Sequence, residues 1–144
     1  MAAINTGKVV VGGLVAGVAL NVIDFISNMF IVGERFKPDW DAINPRLWPN
    51  MMATPTMVTY VLADFALGLL LVWTYAAIRP RFGAGPKTAA YASIALWLVG
   101  TVLYAGFVAS GLLSTTAYMT FGIIALANFL LAGWVGARLY TEPA

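Results

Sequence analysis

Charged side chains thin out over four long apolar stretches of this sequence, about residues 7–32, 54–78, 88–110 and 116–139. A helix rising about 1.5 Å per residue needs roughly 20 such residues to cross a hydrocarbon core of about 30 Å. Each stretch is therefore predicted to be a membrane-crossing helix. Breakers fall between them. Thr54-Pro55 offers an N-cap hydroxyl followed by a proline suited to a first helical turn. The run Arg79-Pro80-Arg81-Phe82-Gly83-Ala84-Gly85-Pro86-Lys87 reads as a turn, a loop over 79–87, because two prolines and two glycines oppose helix continuation. Gly111 to Thr116 gives a glycine stop and three candidate caps, Ser114, Thr115 and Thr116, so the last two helices are expected to form an antiparallel hairpin. The polar segment 34–53, with Pro38, Pro45 and Pro49, is the one long connector, and its Phe36, Trp40 and Trp48 place it along a membrane interface.

Sidedness follows from basic residues next to the spans. Lys8, Arg79, Arg81, Lys87 and Arg138 gather on one side, whereas Arg35, Lys37 and Arg46 on the other are diluted by Glu34, Asp39 and Asp41. The positive-inside rule assigns the first set, and with it the N- and C-termini, to the cytoplasm. Met1 to Leu20 resembles a secretory leader, but the apolar run continues to Val32 without a small-x-small cleavage site, so it is read as the first membrane helix. The expected fold is all-α: a single membrane domain over 1–144, an antiparallel four-helix bundle.

Composition agrees and narrows the chemistry. Apolar residues make up 61% and charged residues 10%, an imbalance that calls for a non-aqueous surrounding. The absence of cysteine and histidine excludes disulfides, thiolate or imidazole metal sites and histidine-based catalysis. A net charge of +2 reflects topology rather than nucleic-acid binding. No metal or cofactor is expected, and Gly83 to Lys87 lacks the strand and spacing of a phosphate loop.

The informative residues are the polar ones inside the apolar stretches. Gly13, Gly17, Asn21, Asp24 and Asn28 recur at intervals of three or four and share one helical face, which should point into the protein. Tyr60, Asp64 and Gly68 form a similar face in the second helix. Ser93, Trp97, Gly100 and Tyr104 do so in the third, and Gly122, Ala125, Asn128, Ala132 and Gly136 in the fourth. Counting from the helix ends puts Asp24, Asp64 and Tyr104 at a common depth of about 13 Å. The candidate site is thus an intramembrane polar cluster of Asn21, Asp24, Asn28, Tyr60, Asp64, Tyr104 and Asn128. An ionised carboxylate at that depth costs about 2.5–3.5 kcal/mol or more, and no intramembrane Lys or Arg compensates. A shared proton, a bound cation or a hydrated cavity are the three remedies. The simpler reading makes the same groups interhelical glue worth about 1 kcal/mol or less apiece. Arg79, Arg81 and Lys87 are a candidate contact for anionic lipid headgroups.

The stretch from Trp73 to Ala89, WTYAAIRPRFGAGPKTA, with Gly12-Gly13-Leu14-Val15-Ala16-Gly17 and Asn21, resembles a group of small, uncharacterised bacterial inner-membrane proteins of four helices. That resemblance implies a multi-pass protein of the bacterial inner membrane and assigns no activity. The function expected is a non-enzymatic accessory, structural or small-ligand-binding subunit, in a homo-oligomer or a larger membrane complex surrounded by membrane lipids. The alternative is a proton- or cation-coupled small transporter or channel using Asp24 and Asp64.

Overall fold

A computed structural model of the chain describes residues 4–142, so the extreme ends assigned to the cytoplasm by the charge pattern lie outside the described residues. Helix α1 (Thr6–Ser27) starts at Asn5, whose side chain accepts from the Lys8 N–H at 3.2 Å. It passes through a π-helical turn, Asn28–Val32, directly into α2 (Gly33–Ile43). A short α3 (Leu47–Met51) follows, then α4 (Thr54–Phe82), α5 (Pro86–Ala109) and α6 (Thr115–Arg138). Four of these rods are long and apolar enough to cross a membrane, the first comprising Thr6–Ile43. Among the described residues there is no strand.

Two expected loops prove to be largely helical. Segment 34–53 continues the first rod, because Phe36 and Trp40, four residues apart, form an apolar stripe that packs on α6. Pro38 and Glu34, whose carbonyl it leaves without its usual donor, are both exposed, so water or headgroups can satisfy that oxygen. At 79–87 the helix runs through Pro80, whose missing N–H falls in the final turn. The break waits for Gly83 and Gly85, at φ +85° and +126°, values that only glycine adopts readily. Thr54 is the first helical residue rather than the cap; Ala53 holds that position without a side-chain bond. Of the three hydroxyls before α6, Ser114 is the one that caps, accepting from the Ala117 N–H at 3.2 Å.

α1 packs most extensively on α4 and also on α6, while α5 packs on α6 and α4. Close approach is built from small residues. A methyl group on Gly68 would collide with the Gly13 carbonyl and the Gly17 backbone, and one on Gly12 would sit 2.6 Å from the Gly136 carbonyl. These distances leave room for hydrogen alone and bring the backbones into contact.

The core is unevenly distributed. Every buried α4 residue lies from Asp64 onward, and the buried α5 residues are Thr88, Ala89, Ala92 and Ser93. Tight packing therefore belongs to the basic end of the bundle, which holds Arg79, Arg81, Lys87 and Arg138. Towards the other end, α4 before Asp64 and α5 beyond Thr101 are mostly exposed. There a second cluster, Val32, Phe36, Trp40 and Ala117, is covered by Trp48, Phe121 and their neighbours.

Candidate functional site

Asn128 is the centre of the polar site. It projects from α6 towards α1 and is 2% exposed. Its Nδ2 donates to Asp24 Oδ1 at 2.6 Å and to the Leu20 carbonyl at 3.3 Å, so one amide ties two turns of α1 to α6. Its Oδ1 has no partner among the described residues.

Asp64 lies on α4 opposite the Val18 turn of α1, nearer the basic end than Asp24. Contacts of Gly13 with Leu69 and of Gly17 with Phe65 descend α4 as they ascend α1, and Gly12 with Gly136 and Leu20 with Asn128 do the same on α6. Side chains tilt towards their own helix N-terminus, so Asp24 leans one way while Asp64 and Asn128 lean the other. Val72 touches Gly136; counting back two turns along each helix puts Asp64 level with Asn128. Asp64 is 9% exposed and engages no hydrogen-bond donor among the described residues.

The other residues of the expected cluster divide. Asn21 belongs to it structurally: its Nδ2 donates to its own Gly17 carbonyl at 2.9 Å and across to the Val61 carbonyl at 3.3 Å. Asn28 does not reach across. It is exposed and returns its amide to the Asp24 carbonyl at 2.8 Å, because the π turn that begins there shifts the helical face. Tyr60 and Tyr104 are 46% and 56% exposed and do not donate to either carboxylate. Tyr104 packs on Phe107, on a helix that adjoins α6 and α4 rather than α1. Tyr60, next to the Val61 carbonyl that Asn21 reaches, lies near the level of Asp24 on an exposed face, whereas the Tyr118–Thr101 bond places Tyr104 opposite the start of α6, well beyond the level of the acids.

Several remaining polar side chains bridge helices through carbonyls. Ser93 Oγ donates to the Phe129 carbonyl at 2.9 Å, Trp97 Nε1 to the Gly122 carbonyl at 2.8 Å and the Tyr118 hydroxyl to the Thr101 carbonyl at 3.2 Å. These three tie α5 to α6.

The set expected to contact headgroups at the basic end also divides. Arg79 is turned inward, over the Tyr140 ring and 3.6 Å from Glu142, where it braces the segment after α6. Arg81 and Lys87 are exposed, with Lys87 over the Tyr91 ring. Arg138 was absent from the expected set. Its guanidinium lies 3.7 Å from the centroid of Trp134, beside a pocket of about 150 Å³ lined by Tyr75, Gly85, Pro86 and Ala89. The signal available in the sequence was the four-residue spacing of Trp134 and Arg138.

Chemically, the site offers carboxylate and amide oxygens without a nucleophile–base pair. Among the described residues no three His, Cys, Asp or Glu side chains gather as a metal cluster. Comparison with known proteins identifies no matching family, no similar curated protein and no similar solved structure.

Proposed function

We propose that this chain is a non-enzymatic, multi-pass membrane protein: an antiparallel four-helix bundle in a bacterial inner membrane, termini cytoplasmic, acting as an accessory or small-ligand-binding subunit. The observation that carries this reading is the use its polar side chains make of their hydrogen bonds. Asn128 to Asp24, Asn21 to Val61, Ser93 to Phe129 and Trp97 to Gly122 all run between helices, as glue that fixes packing in a medium without water. The exposed apolar length of α5 gives lipids or neighbouring subunits a broad surface. Native mass measurement of the protein extracted in mild detergent tests the reading. A fixed assembly with copies of itself or a larger membrane partner is expected; a monomer carrying lipid alone rejects the subunit role.

A second reading, a proton- or cation-coupled small transporter or channel, is favoured by one observation: the buried Asn128 carbonyl oxygen has no donor among the described residues. In liposomes, the Asp24→Asn, Asp64→Asn double variant should then lose proton or cation flux. Flux equal to that of the unaltered protein rejects this reading.

A further inference from the structure

The hollow of about 150 Å³ at the basic end, where α4 and α6 finish and α5 begins, is walled by hydrogen-bond donors. Tyr75 is 4% exposed; its hydroxyl accepts from the Gly85 N–H at 3.1 Å and donates to no acceptor among the described residues. Both residues line the hollow, so a free phenolic hydrogen belongs to its wall. Arg138 lines it from α6, braced on the Trp134 ring and making no ion pair among the described residues. α5 starts in the same wall at Pro86 without a side-chain cap, which adds the partial positive charge of a helix N-terminus. No acidic side chain lines the hollow, and Glu142, the one acid at this end, lies 3.6 Å from Arg79.

Such a wall complements an anion with several acceptor oxygens. The hollow is smaller than the roughly 300–1,000 Å³ that encloses a whole drug-sized ligand, so only part of a larger molecule enters. A track for the rest leads away from it. The exposed residues Ile123, Ala127, Leu131 and Trp134 recur every three or four positions and end at Arg138, forming one apolar face along α6. A charged head above an apolar ladder is the outline of a lipid, and free phosphate has no use for the ladder.

We infer that the hollow between Tyr75, Gly85, Trp134 and Arg138 holds the phosphate of one anionic phospholipid, with an acyl chain along α6. Exposed Arg81 and Lys87 at the same end draw such headgroups towards it. Arg138 also complements the C-terminal dipole of α6, but that role calls for neither a hollow beside it nor a free hydroxyl in the wall. The inference deepens the small-ligand-binding part of the proposed function and rests on reading the four rods as membrane helices.

The full chain in neutral detergent is titrated with phosphatidylglycerol or phosphatidylcholine of equal chain length, and adducts are counted by native mass spectrometry. Phosphatidylglycerol should bind one per chain and about fivefold more tightly, the worth of one basic side chain near an anionic surface. Arg138→Gln should abolish that preference, and Tyr75→Phe should weaken phosphatidylglycerol binding about threefold, as for one lost hydrogen bond. Lys8→Gln, exposed at the same end and outside the hollow, should change nothing. Equal affinity for the two lipids overturns the site, as does a loss with Lys8→Gln equal to that with Arg138→Gln. Inorganic phosphate that displaces phosphatidylglycerol at matched concentration overturns the lipid assignment in favour of a free anion. If the variants fail to fold, the comparison of lipids on the unaltered protein decides. A monomer that retains one phosphatidylglycerol keeps the site and rejects the subunit role; an assembly indifferent to headgroup does the reverse.

Discussion

Asn128 and Asn28 are the same residue type on comparable stretches of helix, yet one is structural and the other peripheral. Asn128 is enclosed and spans two helices; Asn28 is exposed and bonds its own turn. Asn128→Ala should therefore destabilise the bundle by about 1 kcal/mol, the usual size of an interhelical hydrogen bond in a membrane. Asn28→Ala should stay within about 0.5 kcal/mol of the unaltered protein. Thermal unfolding in detergent ranks the two, and equal effects would contradict the bridging role. The polar stripe itself was readable from residue spacing, since Gly13, Gly17, Asn21 and Asp24 do share the inward face. Tyr60 and Tyr104 were misplaced for a definite reason. Counting residues from a helix end misjudges depth where helices end at different levels, as for Tyr104, and leaves the direction around the axis to packing that a single helix does not reveal.

Between elements, backbone proximity is the determining quantity. Gly68 presses on Gly13 and Gly17, whereas nothing lies within 4 Å of a methyl group built on Gly122. Gly68→Leu is expected to cost about 1–3 kcal/mol by forcing α4 off α1. Gly122→Ala should be neutral; a comparable loss there would show that the penalty is not one of contact. The π turn sets a second relation. Deleting Phe30 would return Asn28–Val32 to ordinary helical register and rotate α2 by about 100°. Trp40, 8% exposed and stacked on Trp48 with ring centroids 5.4 Å apart, would lose its seat on Phe121. The expected readout is a red-shifted tryptophan emission with weaker near-ultraviolet dichroism, and unchanged spectra would show that the turn does not aim α2. The four long helices were legible because hydropathy reports them directly. The continuation through 34–43 was not, since prolines and charges mask a two-residue aromatic stripe whose partner, Phe121, is distant in sequence.

For the molecule as a whole, the missing cysteines make topology easy to measure. Single replacements Asn50→Cys and Ala84→Cys are both at exposed positions, in the two connecting regions assigned to opposite sides. An impermeant maleimide added to intact cells should label Asn50→Cys and spare Ala84→Cys; the opposite pattern inverts the proposed orientation. The succession of four long apolar helices was readable because hydropathy and breakers are local signals. The uneven core was not, because which half of a helix finds partners depends on how the rods diverge.

That unevenness gives the molecule the mechanics of a clothes-peg. One half is clamped by backbone contact at Gly12, Gly68 and Gly136, and the other has slender cross-bracing between α4 and its neighbours. Asp64 is the first buried residue of α4 on passing from the loose half to the clamped one, so it sits beside the fulcrum. Lateral pressure or bilayer thinning acting on the loose jaws would thus be felt as a strain on the Asn128–Asp24 bond between α6 and α1.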